Sequence, residues 1–95
     1  MSESSLNDPL ALAPILDLNA AEPLKAELLA RRGADLTLDA SAVERLGGLC
    51  LQVLLAAKAA WNADGVNLKL ASPSDNFVDQ WAAFGAPDFN EGALA

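Results

Sequence analysis

The chain is predicted to fold as a small α/β protein: a largely parallel sheet of about four strands with three helices packed against it. Two patterns and one bound carry this prediction. Residues 34–40 and 66–71 alternate apolar and polar side chains with the period of a strand. The segments between and after them space apolar residues by three and four, the period of a helix. Strands separated by helices need crossover connections, which make neighbouring strands parallel. The bound is length, since 95 residues hold one modest core and no second.

The elements follow in order. Residues 1–9 are polar and acidic and read as a flexible leader, lacking the basic and apolar regions of a secretory signal. The domain proper is expected over 10–86, with a C-terminal tail over 87–95. Leu10, Leu12, Ile15, Leu16 and Leu18 surround Pro14 and suit one or two short strands bent at the proline. Proline offers no ladder donor, so this segment belongs at an edge or a bend. Asn19-Ala-Ala-Glu22 has the form of a capping box, with Pro23 tolerated in the first turn. Leu24, Leu28 and Leu29 make the apolar stripe of that first helix. Arg31 and Arg32 complement its negative end, and Gly33 is its stop.

In the next strand Leu36, Leu38 and Ala40 face one way, and Asp35, Thr37 and Asp39 the other. A compact loop closes on Gly47-Gly48. Val43, Leu46, Cys50, Val53, Leu54, Ala57 and Trp61 then hold helical spacing up to the turn N-A-D-G at 62–65. Val66, Leu68 and Leu70 alternate as a further strand. Ser72-Pro73-Ser74-Asp75 opens the last helix with proline at its first position, Phe77, Val78, Trp81 and Phe84 form its apolar face, and Gly85 ends it.

Composition excludes several function classes. The net charge is −7, from 13 acidic and 6 basic residues, and the Lys and Arg residues do not cluster. Nucleic acid and anionic membrane surfaces are therefore poor partners, and a basic protein surface a better one. There is no histidine, which removes the commonest general base and metal ligand. Cys50 is the only cysteine, so neither an intrachain disulfide nor a zinc-type spacing exists. It falls on the apolar stripe beside Leu46 and Val53 and reads as a buried packing residue. A thiol activated by the helix N-terminus is the alternative. Asp17, Glu22, Asp35, Asp39 and Glu44 show no spacing that converges them on a metal or an acid–base site, so no cofactor and no metal are expected. The apolar stretch 49–61 is broken by Gln52 and Lys58 and is too short to span a bilayer. A cytoplasmic protein without membrane insertion is expected.

The run L-T-L-D-A-S-A-V-E-R-L-G-G-L-C-L-Q-V-L-L over 36–55 resembles the central signature of the STAS domain, the module shared by sulfate transporters and bacterial anti-sigma factor antagonists. Asp39, Ser41, Val43, Leu46, Leu51, Leu54 and Leu55 stand at matching positions. The stretch V-N-L-K-L-A-S-P-S before the last helix and the closing F-G agree as well. The resemblance extends over about residues 10–85. Within the family, L-G-G-L-C-L-Q-V-L-L-A-A-K-A-A-W is most similar to short stand-alone STAS proteins encoded among bacterial chemotaxis genes. In the antagonists, a Ser or Thr in this loop is phosphorylated by the partner kinase, which ends binding. The resemblance places Gly48 at that position and Gly47 at the Asp before it. The next small polar residue is replaced by Leu49 and the family's glycine by Cys50. The scaffold of the switch is present without its hydroxyl.

The Gly47-Gly48 pair reads structurally as a tight turn or close backbone approach, and functionally as a flat contact surface of backbone N–H groups. Ser41 fits S-x-x-E with Glu44 and reads as a helix cap, a displaced phosphorylation site being its alternative. Phe89 has no periodic partners and is expected as an exposed anchor for a partner or for a second copy of the chain, so a homodimer is among the expected assemblies. The function expected is a non-enzymatic interaction module whose partner-binding loop comprises Asp39, Ser41, Glu44, Gly47, Gly48 and Leu49. The resemblance implies a bacterial signalling partner, a chemotaxis kinase or array component, or an anti-sigma-type kinase. A constitutive subunit of a transporter ATPase is the competing class.

Overall fold

The computed structural model describes residues 9–90. All but the last residue of the expected leader, and residues 91–95 of the tail, lie outside the described residues. The α/β class with three helices and parallel strands is borne out. The strands are β1 (Leu10–Ala11), β2 (Ile15–Leu16), β3 (Leu36–Asp39), β4 (Arg45–Leu46) and β5 (Leu68–Ala71). The helices are α1 (Leu18–Ala30), α2 (Gly48–Asp64) and α3 (Asp75–Ala83). The three-stranded sheet runs in the order β1-β3-β5, all parallel, with Leu38 opposite both Leu10 and Leu70. A second parallel pair joins β2 to β4, with Leu16 opposite Leu46.

Among the described residues the strand count is therefore five in two sheets, a correction of the about four expected. The unforeseen strand is β4, where Val43 and Leu46 were placed on a helix. Both are buried, but in the loop and in β4, and the helix begins only at Gly48. A two-residue strand offers no alternation to read. Pro14 is the hinge between β1 and β2, as its lack of a donor led one to expect. Its carbonyl accepts from Glu44 N at 2.7 Å and Arg45 N at 3.1 Å, so the bend itself supports β4.

Side-chain period decides what enters the core. Leu36, Leu38 and Ala40 are buried and Thr37 and Asp39 half-buried, as the alternation requires. They meet Leu68 of β5, Leu24 and Leu28 of α1, Leu54 and Trp61 of α2, and Phe77 of α3 in one core. Each such large side chain contributes roughly 1.5–3 kcal/mol on burial. Buried polar atoms are paired: Trp61 Nε1 donates to the Ala34 carbonyl at 2.8 Å, and Lys58 Nζ to the Leu68 carbonyl at 2.7 Å. Among the described residues no helix is long and apolar enough to cross a membrane.

Three helix starts differ from expectation. The cap of α1 is Asp17, not Asn19. Its carboxylate accepts from Asn19 N at 3.0 Å and Ala20 N at 3.2 Å, satisfying two orphan donors at once. Pro23 consequently lies in the second turn, where it withholds a donor from the Asn19 carbonyl. Ser41 caps no helix, because α2 starts seven residues later behind Gly47, which supplies no side-chain cap. Ser74 caps α3, its hydroxyl accepting from Phe77 N at 3.0 Å, so Pro73 precedes the helix instead of opening it. The helix ends agree with the sequence: Gly33, Gly65 and Gly85 all take left-handed φ just beyond α1, α2 and α3.

Phe89 is not the exposed anchor expected. It is 4% exposed, packed edge-on against Trp81 at 5.7 Å, with the Lys58 ammonium 5.3 Å from its ring centre. No local period signals this burial, because its partners come from α2 and α3.

Candidate interaction surface

The loop after the carboxyl end of β3 is tied down residue by residue. Ala40 donates to the Ala71 carbonyl at 3.3 Å, and its own carbonyl accepts from Val43 N at 3.2 Å and Ser74 N at 3.1 Å. Ser74 Oγ also donates to the Val43 carbonyl at 2.6 Å, so one serine caps α3 and fixes the loop. Gln80 then grips β4 on the side away from β2. Its Nε2 donates to the Glu44 carbonyl at 2.9 Å and its Oε1 accepts from Leu46 N at 2.7 Å. A primary amide offers one donor and one acceptor side by side, which is what a neighbouring strand offers. A two-residue strand is stable here because it has a backbone partner on one edge and a side-chain surrogate on the other.

The two glycines have different reasons to be glycine. Gly47 donates to the Leu16 carbonyl at 2.8 Å, and a Cβ on it would sit 3.1 Å from that same oxygen. Its φ of −92° is open to any residue, so the constraint is the close approach of two backbones and not the dihedral. A Cβ on Gly48 would lie 3.7 Å from Phe84 Cε1, an ordinary contact. Gly48 is thus not forced by space. Its lack of a side chain leaves the Phe84 ring uncovered.

The resulting surface is apolar. Phe84 is 47% exposed beside Gly48, and Leu49, in the first turn of α2, is 48% exposed. Leu18, at 73%, follows Asp17, whose Cα lies 3.8 Å from the position of a Gly47 Cβ. Phe84, the cap of α3, and Leu49 of α2 therefore flank the Gly47-Gly48 step, with the exposed Leu18 one residue beyond Asp17. Sequence reasoning placed Leu49 in this site and missed the other two. Leu18 was read as a strand residue and Phe84 as core. Phe84 stands seven residues after Phe77 and, as the cap of α3, keeps helical backbone angles, yet it is half-exposed and meets the Gly48 position instead of the core.

The remaining expected loop residues occupy the same connection. Asp39 closes β3, and its carboxylate accepts from Ser41 N at 2.9 Å; the Ser41 N–H and hydroxyl hold its acidity on the strong side of an ordinary carboxyl. Ser41 and Glu44 are exposed, Glu44 being held only through its backbone. Cys50 is fully buried with its thiol directed to the Asp17 carbonyl at 3.4 Å. Burial, with the nearby Asp17 charge, pushes this thiol up, the reverse of an activated nucleophile. The carboxylates do not converge: among the described residues no group of three or more His, Cys, Asp or Glu side chains is placed to hold a metal.

A family model described as "Mlab, STAS domain" matches residues 2–88. No curated protein and no solved structure matches the chain.

Proposed function

The chain belongs to the STAS domain family, and we propose that it acts as a non-enzymatic interaction module whose contact surface is the apolar patch around Gly47-Gly48. The observation that carries this reading is the exposure of Leu18, Leu49 and Phe84 about a helix start that bears no side chain, on a loop fixed by Ser74 and Gln80. A rigid, preformed surface loses little entropy on docking. Such a patch serves as the apolar centre of a contact of about 800 Å² per partner. The net charge of −7 favours a basic partner face. Asp39, Ser41 and Glu44 form the polar rim.

The partner is a bacterial signalling protein of the cytoplasm, a chemotaxis kinase or array component or an anti-sigma-type kinase. Gly48 at the position of the phosphorylated hydroxyl makes binding constitutive there, with Ser41 the nearest loop hydroxyl. The same glycine favours a second reading, in which the chain is a permanent subunit of a transporter ATPase and has no need of a switch. Affinity capture on the tagged chain from its native cells, with Phe84→Ser as the control bait, separates the two. Recovery of a signalling kinase, lost with Phe84→Ser, supports the first. A transporter ATPase subunit retained at fixed stoichiometry through high salt supports the second. Equal recovery of all proteins by both baits removes the patch from the contact.

A further inference from the structure

Among the described residues β5 has β3 on one side and no strand of its sheet on the other. The carbonyls of Asn67 and Ala71 accept from Leu36 N at 2.9 Å and Ala40 N at 3.3 Å, so strand alternation turns the backbone groups of Leu68 and Leu70 to the free side. A free edge of this kind is a template for one more strand. Here two side chains occupy it. Lys58 Nζ donates to the Leu68 carbonyl, and the Asn90 amide makes both bonds of a strand partner at Leu70. Its Oδ1 accepts from Leu70 N at 2.9 Å and its Nδ2 donates to the Leu70 carbonyl at 3.3 Å. Asn90 is delivered by a short strap. Gly85 turns the chain at φ 75°, Trp81 Nε1 donates to the Pro87 carbonyl at 2.7 Å, and Phe89 seats between Trp81 and Lys58. A groove of about 330 Å³ remains between strap and α3, lined in part by Leu70, Val78 and Phe89, so the strap covers this region without filling it.

We infer that residues 87–90 are a removable cover on the edge of β5, and that uncovering it exposes a docking surface for a second copy of this chain, β5 against β5 about a two-fold axis. The occupant is an extended backbone, because what the edge presents is a donor and an acceptor in strand register, the pair Asn90 already imitates. A second copy fits best because the contact is then isologous, each Leu70 taking over the bonds that Asn90 makes. The segment L-K-L-A of β5 carries no carboxylate to repel its twin. The rest of each copy carries net negative charge, so the pairing strengthens as salt screens it.

The test compares the full wild-type chain with the full-length double variant Phe89→Ala/Asn90→Ala by sedimentation velocity over rising concentration and salt, with amide exchange read at Leu70. The wild type is expected to sediment as one 9.8 kDa chain with a protected Leu70 amide. The double variant is expected to shift toward twice that mass, with Leu70 exchanging fast when dilute and protected again when concentrated. Asn90→Asp, which keeps Phe89 and sets a charged acceptor against the Leu70 carbonyl in place of the amide donor, is the second variant should the first fail to fold. It is expected to show the same concentration-dependent protection in weaker form. A folded variant that stays monomeric with Leu70 exchanging freely at every concentration overturns the inference. So does a wild type that already dimerises with the strap in place.

Discussion

Replacing each of two adjacent glycines by alanine is expected to move stability in opposite directions. At position 47 the new Cβ meets the Leu16 carbonyl oxygen at 3.1 Å, and that oxygen is backbone already bound to Gly47 N at 2.8 Å. Neither side can yield by rotating a side chain, so the insertion carries the roughly 1–3 kcal/mol typical of overpacking. Alanine is also the poorer N-cap. The smaller entropy of the unfolded chain offsets about 0.4–1 kcal/mol. Gly47→Ala is therefore expected to destabilise by about 1–2 kcal/mol. At position 48 the Cβ meets Phe84 at 3.7 Å, so nothing opposes the entropic gain and Gly48→Ala is expected to stabilise by about 0.4–1 kcal/mol. Urea unfolding of the two variants, at an m-value of about 1–2 kcal/mol per M, then separates their midpoints by about 1–2 M. Gly47→Ala at or above the stability of Gly48→Ala refutes the close-approach account of the loop.

Gln80→Ala strips partners from Leu46 N and the Glu44 carbonyl and is expected to cost about 1–3 kcal/mol, with the Leu46 amide exchanging faster than in wild type. Cys50 is expected to resist iodoacetamide in the folded protein near pH 8 and to react once urea unfolds it; equal rates in both states contradict its burial. Asp39 and Asp64 are each held below the ordinary 3.8, Asp39 by Ser41 and Asp64 by hydrogen bonding to Arg32. Their stabilisation is whole above that value and is lost as pH falls through the lower folded values, so acid unfolding should be less steep in Asp39→Asn/Asp64→Asn than in wild type.

Local rules read most of this scaffold from the sequence. The alternation of residues 36–40, the glycine stops beyond α1, α2 and α3, and the buried thiol of Cys50 all follow from neighbours along the chain. What escaped depends on partners distant in sequence. β4 exists because Pro14 and Gln80 supply bonds from thirty or so residues away on either side. Phe89 is buried by Trp81 and Lys58, which no local period announces. Asp17 displaced Asn19 as a cap because it lies one residue before Leu18, a choice that a capping-box pattern starting at Asn19 hides. The candidate surface was half legible. Its glycines and Leu49 stood out, whereas Leu18 and Phe84 join it only because two helices begin and end where they do.

The central claim is that the Gly47-Gly48 patch is where the partner docks, and Gly48→Asp tests it most directly. Its Cβ has room beside Phe84, and a carboxylate in the first turn of α2 suits the positive end of that helix, so the variant is expected to melt no lower than wild type. The same carboxylate lies in the middle of the apolar patch and must lose its water for a partner to dock. Quantitative capture from native cells on both baits is expected to show the partners of the wild type depleted about tenfold or more on Gly48→Asp, a loss of some 1.4 kcal/mol. A folded Gly48→Asp protein that retains the same partners in the same yield contradicts the account.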